Sequence, residues 1–183
     1  MRSMDQALQR RDAVNVTAQL AAQCRAQPLV FDEVRPELCV ALERVILDRM
    51  QRDRGRRTGS INVGGWKSGE DLFLWPDSAV QELRQEMVTV MGSRSLVGWA
   101  MVNRGGSHHP RHQHRIARLT GIYYVTPGDP ASITPTVFEC ADGELGVDPH
   151  PGRLAIFGGE MWHRLPVYPG DLPRITIAFD VRR

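Results

Sequence analysis

Four of the six histidines crowd into His108-His109-Pro110-Arg111-His112-Gln113-His114. Imidazole is a frequent metal ligand and carries protons near neutral pH. If residues 112 to 114 are extended, His112 and His114 project from one face, because side chains alternate along a strand, and both can meet one metal ion. A third histidine, His163, follows the apolar run Leu154-Ala155-Ile156-Phe157 and a turn at Gly158-Gly159, so a neighbouring strand can bring it to the same ion. Three protein ligands leave coordination positions open, as a site that must bind and activate small molecules requires. Eleven residues on, Arg174 lies in Pro173-Arg174-Ile175-Thr176-Ile177-Ala178-Phe179, which reads as a final core strand. An inward-facing Arg174 would bury a charge that demands an anionic partner, and a dicarboxylate would supply one.

The other histidines fit this scheme less well. His108 and His109 are adjacent, so on a strand they face opposite ways, and Pro110 interrupts the segment. His150 lies between Pro149 and Pro151 and reads as a surface-loop residue. Trp66, Trp75, Trp99 and Trp162 read as packing anchors, with Trp162, beside His163, also placed to line a pocket.

The elements that must position these groups fall into two halves. Residues 1–94 read as a mostly helical buttress. Leu38, Leu42, Val45 and Ile46 recur at helical spacing after Pro36, with Asp32 as a nearby N-cap. The glycine-rich Asn62-Val63-Gly64-Gly65-Trp66-Lys67-Ser68-Gly69 follows, and its stretch from Gly64 to Gly69 suits a lid. A second amphipathic stretch after Asp77 carries Val80, Leu83, Met87 and Val90. From residue 95 the texture changes to short apolar runs between turn residues: 96–102, 119–125, 136–139, 154–157 and 175–181. This mainly β half predicts a double-stranded β-helix, the jelly-roll or cupin-like architecture, buttressed by the helices in one domain spanning 1–183.

Bulk properties exclude several classes. No apolar run approaches the length of about 20 residues that a membrane helix needs, and Met1 to Arg11 lacks the apolar core of a secretory signal. The expected location is cytoplasmic. Cys24, Cys39 and Cys140 form neither a disulfide framework nor a Cys-x-x-Cys motif and are expected to be reduced. A net charge of +2, with Arg49, Arg52, Arg54, Arg56 and Arg57 read as a solvated basic stretch, does not indicate nucleic-acid binding.

Together, His112-x-His114, Leu119-Thr120-Gly121-Ile122-Tyr123-Tyr124-Val125, Phe157 with His163 six residues later, and Arg174-Ile175-Thr176-Ile177-Ala178-Phe179 carry a resemblance. The stretch 103–180 resembles the 2-oxoglutarate and iron(II)-dependent oxygenases, jelly-roll proteins related to prolyl hydroxylases. Gly64-Gly65-Trp66-Lys67-Ser68 and Asp71-Leu72-Phe73 extend the likeness upstream. The resemblance implies Fe(II) held by His112, His114 and His163, with 2-oxoglutarate as co-substrate and O2 as oxidant. It makes Arg174 the partner of the far carboxylate of 2-oxoglutarate, with Tyr124, Thr176 and Asn103 as further co-substrate contacts. It implies hydroxylation of a small molecule, amino acid or peptide, with 2-oxoglutarate converted to succinate and carbon dioxide.

One departure stands out: the wider superfamily has Asp or Glu where this chain has His114. A site of three neutral imidazoles is one unit more positive, unless Glu139 or Glu160 contributes a carboxylate. Two rival readings remain at this level. A cupin-type metal protein, such as an isomerase or a dioxygenase without 2-oxoglutarate, would want a glutamate soon after the histidine pair, where the chain has Arg115-Ile116-Ala117-Arg118. A non-catalytic protein could hold a structural metal. The helices either cover the barrel or pair between chains, and the latter arrangement would make a homodimer.

Overall fold

The computed structural model describes residues 18–32, 35–53 and 61–182. The N-terminal segment Met1 to Arg11 and Arg54, Arg56 and Arg57 of the basic stretch lie outside the described residues.

Strand β10 (Arg174–Arg182) organises the molecule. Its sequence alternates apolar residues with others, so the period of two sends Ile175, Ile177, Phe179 and Val181 to one side and Arg174, Thr176, Ala178 and Asp180 to the other. The first set joins the apolar layer beneath the helices, and the second lines a cavity between two sheets. β10 pairs antiparallel with β3 (Leu96–Asn103) on one flank and β5 (Ala117–Pro127) on the other. Both repeat the alternation. Ala100, Val102, Leu119, Tyr123 and Val125 face the helices, whereas Trp99, Met101, Ile122 and Tyr124 face inward.

With β1 (Leu29–Asp32), β2 (Trp66–Lys67) and β8 (Arg153–Gly158), these strands form a six-stranded sheet ordered β1-β8-β5-β10-β3-β2. The second sheet has four strands, ordered β4-β9-β6-β7: β4 (His109–His112), β6 (Thr136–Cys140), β7 (Gly143–Val147) and β9 (His163–Leu165). Two antiparallel sheets with helices against one of them are the jelly-roll that the sequence predicts.

Helix α1 (Pro36–Arg52) begins with proline at its first turn, where the missing N–H costs nothing, and buries Leu38, Cys39, Leu42 and Ile46. Its cap differs from expectation. Asp32 belongs to β1 and pairs with Arg153, and the residue at the N-cap is Arg35. Helix α2 (Ser78–Met91) buries Ala79, Val80, Leu83, Met87 and Met91 and stops at Gly92, whose φ of 60° suits a residue without a β-carbon. The expected apolar Val90 lies at the exposed margin, and Met91 takes the buried place. The helices cover the outer face of the six-stranded sheet within one chain. Phe179 occupies the space opposite Gly121, where a β-carbon would lie 2.1 Å from its ring.

Among the described residues, no helix is long and apolar enough to cross a membrane.

Candidate active site

β4 and β9 run antiparallel with His112 opposite His163, and the two ring centroids stand 4.2 Å apart. β4 ends at His112, so His114 lies in the connection to β5 and not on a strand, as the extended reading supposed. Its backbone N–H donates to the Gly159 carbonyl at 2.8 Å, and this bond holds the connection close enough for its ring to join the others. One possible donor atom from each of His112, His114 and His163 lies within 4.8 Å of the other two.

The hydrogen bonds decide which nitrogen each ring offers. His112 Nδ1 is 2.7 Å from the Pro110 carbonyl, His163 Nδ1 is 3.1 Å from the Met161 carbonyl, and His114 Nδ1 is 2.9 Å from an Asp180 carboxylate oxygen. Carbonyl and carboxylate oxygens only accept, so Nδ1 carries the proton in all three and Nε2 keeps a lone pair for a metal. Burial, reinforced by the neighbouring imidazoles, holds the pKa of His163 well below the usual value. Burial likewise lowers that of His112. Neutral rings are the ligating form, so His163 and His112 stand ready for a cation at neutral pH.

The opposite end of the cavity is built for an anion. Arg174 is 2% exposed, and among the described residues no carboxylate pairs with it. Its Nη2 donates to Thr136 Oγ1 at 3.0 Å, while its Nε and the hydroxyl of Thr176 are buried without a hydrogen-bond partner. Burial lowers the guanidinium pKa, with Tyr124 and Tyr168 acting the other way. Unpaired buried donors around a charge are costly, and a bound carboxylate would relieve them. The donor set therefore fits a carboxylate.

Thr136, which the sequence reading did not single out, connects this end to the core. Its oxygen accepts from both Arg174 and Tyr124, the latter at 2.9 Å, which leaves its own hydroxyl proton for a partner in the cavity. Tyr124 is fully buried, with its ring 5.5 Å from the Arg174 guanidinium, and its hydroxyl meets the cavity lining at Thr136. Asn103 also stands back from the cavity, its Nδ2 3.2 Å from Asn62 Oδ1 and 3.2 Å from His109 Nε2. Asn62 and His109, by contrast, line it. Burial depresses the pKa of His109 to about 3, helped by the charge of Arg174, so this ring is neutral.

The cavity, of about 420 Å³, contains His112, His114, His163, Arg174 and Thr176 together. Trp99 forms part of its wall and stacks on His114 with centroids 5.6 Å apart and planes 10° apart. Trp162, read as a packing anchor that could also line a pocket, packs under the guanidinium of Arg111 and is not part of the cavity lining. Neither Glu139 nor Glu160 joins the histidine cluster, and Glu139 is held by Arg111. The glycine-rich segment is anchored, with Trp66 and Lys67 paired to Val102 and Met101, so Lys67 is part of the wall.

No protein-family profile matches the sequence, and no curated protein matches it. Solved structures do match. A prolyl-4-hydroxylase of Pseudomonas putida superimposes with a TM-score of 0.73 at 17% identity, covering 92% of this chain and 98% of that one. A prolyl hydroxylase of Trichoplax adhaerens, solved with a hypoxia inducible factor peptide, gives 0.68 at 15% identity, covering 100% and 94%. The non-heme alpha ketoglutarate dependent epimerase SnoN from nogalamycin biosynthesis gives 0.69 at 10% identity, covering 90% and 81%. The chain therefore shares the jelly-roll fold of these prolyl hydroxylases and this epimerase, and among the described residues three histidines converge as a metal ion requires.

Proposed function

We propose that this protein is an iron(II) and 2-oxoglutarate-dependent oxygenase. The observation that carries the reading is Arg174: a buried cation with unpaired donors beside it, in the same cavity as three imidazoles with converging lone pairs. His112, His114 and His163 would hold the iron. Arg174, with the hydroxyls of Thr176 and Thr136, would bind the far carboxylate of 2-oxoglutarate, and Tyr124 would orient Thr136. Asn103 would act at one remove, by orienting His109 and Asn62. Bound iron and 2-oxoglutarate would supply the chemistry of reducing O2, converting 2-oxoglutarate to succinate and carbon dioxide and hydroxylating a substrate carbon.

The chain's own contribution is orientation and exclusion of water. Trp99, Met101 and Ile122 give the cavity apolar walls, and such walls strengthen every charge interaction inside. The substrate class is a small molecule, amino acid or peptide, and Arg115 and the exposed Ile116 line the cavity that would receive it. Prolyl hydroxylases among the structural relatives support an oxidation at carbon, and the epimerase supports reaction at a substrate carbon without net oxidation.

The test is succinate production by anaerobically purified protein given Fe(II), 2-oxoglutarate and then oxygen. Succinate from the wild type that disappears in His163→Ala and Arg174→Ala is the expected result. No succinate, together with no 2-oxoglutarate binding by calorimetry, would sink the reading in favour of a metal site that does not use 2-oxoglutarate.

A further inference from the structure

We propose that Asp180 is the carboxylate of this metal site, acting through His114 instead of binding the ion itself. The inference rests on the reading of His112, His114 and His163 as ligands, and makes Asp180 a positioning residue for one of them.

The three rings are not backed alike. His112 and His163 lean on neutral backbone carbonyls, whereas His114 donates to a carboxylate oxygen at 2.9 Å. That contact is shielded, with the two side chains 11% and 10% exposed. Asp180 is held in turn, since Thr120 Oγ1 donates to the same oxygen at 3.0 Å. Among the described residues no lysine or arginine forms an ion pair with Asp180, so the hydrogen bonds from His114 and Thr120 hold its carboxylate. Trp99 stacks on the other side of the arrangement and sets the plane of the His114 ring.

A carboxylate behind a ligating imidazole pulls the Nδ1 proton toward itself and makes Nε2 a stronger donor. Three neutral imidazoles around a divalent ion leave its charge uncompensated. Asp180 places one negative charge a single ring away and so returns the site to the charge balance of two histidines and a carboxylate. Asp180 is not among the residues whose ligand atoms converge, and its Oδ1 is engaged with the far side of the His114 ring.

Asp180→Asn keeps an oxygen that can accept from His114 and removes the charge. In this variant Fe(II) and Co(II) affinity, measured by anaerobic calorimetry, should fall about 10- to 100-fold, and the Fe(III)/Fe(II) midpoint potential should rise. A role confined to packing would move neither. In the Asp180→Asn background, His114→Asp puts a carboxylate directly on the ion, and should restore both affinity and potential toward wild type. Affinity within twofold of wild type and an unmoved potential in Asp180→Asn, while His163→Ala loses the metal, would overturn the role of Asp180 and leave the metal site standing. Failure of the double variant to recover affinity also counts against it. Wild-type protein that binds neither Fe(II) nor Co(II) would overturn the metal site and this proposal together.

Discussion

Arg174 and Tyr124 donate to the same atom: Thr136 Oγ1 accepts from the guanidinium at 3.0 Å and from the phenol at 2.9 Å. One hydroxyl on β6 thus ties the charged end of the cavity to the packed interior between the sheets. The two donors come from neighbouring strands β10 and β5, while the acceptor belongs to the opposite sheet. The arrangement fixes where an incoming carboxylate must lie.

Replacing Arg174 with methionine should leave the ligand-free protein as stable as wild type or more so. An unpaired buried charge is expensive, and apolar replacements of buried ionic groups are often neutral or stabilising by about 1–4 kcal/mol. Ligand stabilisation should behave oppositely. At 100 times its dissociation constant 2-oxoglutarate would stabilise wild type by about 2.7 kcal/mol, and Arg174→Met should lose that gain. Thermal melts with and without 2-oxoglutarate measure both effects.

Thr136→Val removes the shared acceptor and strands two buried donors at once. A destabilisation of about 1–3 kcal/mol is expected for each unsatisfied group, visible as a lower urea midpoint at unchanged slope. Thr136→Ser restores the oxygen and should recover most of the loss. No loss in Thr136→Val, which keeps the methyl group and removes only the oxygen, would show that the two hydrogen bonds to Thr136 Oγ1 do not contribute.

His109 predicts an acid-sensitive apoprotein. Its pKa falls from the usual 6.5 to about 3 on folding, because burial disfavours the imidazolium. Between these values the unfolded chain binds a proton that the folded one does not. Stability therefore declines as pH falls through that window, at about 1.4 kcal/mol per pH unit for one group, and this group contributes no slope above it. Urea melts from pH 7 to 4 on wild type and His109→Gln should show a shallower decline in the variant.

Gly121→Ala should destabilise the sheet without touching the cavity. The new β-carbon would sit 2.1 Å from the Phe179 ring on the helix-facing side, so the ring must move within a packed layer. Overpacking of this kind costs about 1–3 kcal/mol. Chemical denaturation reads the loss, while metal affinity per folded molecule should be unchanged.

Much of this arrangement was legible in the chain because strong periodicity advertises itself. The alternation of β10 and the apolar runs of β3, β5 and β8 read directly as strands. The polar edge strand β4, with Pro110 inside it, carries no such signal, and β9 has only three residues. β7 is exposed along most of its length, so no apolar pattern marks it. The histidine cluster and Arg174 were readable from residue type and spacing. Thr136, Asn62 and Asp180 were not, because each acts through a contact across strands or between sheets. Asp180 meets a ring 66 residues earlier in the chain, and nothing local to either residue announces the pairing.

The strict inside-outside alternation of β10 also bears on how this chain can change. A one-residue insertion early in the strand would exchange its two faces. Arginine and aspartate would be driven into the oily layer under the helices, and isoleucine and phenylalanine would fill the polar chamber. Point substitutions can therefore adjust the chemistry one position at a time, whereas length changes in this strand must destroy architecture and reactivity together. Insertions that vary between relatives of this protein should accordingly fall in its connecting loops, with the length from Arg174 to Asp180 held constant.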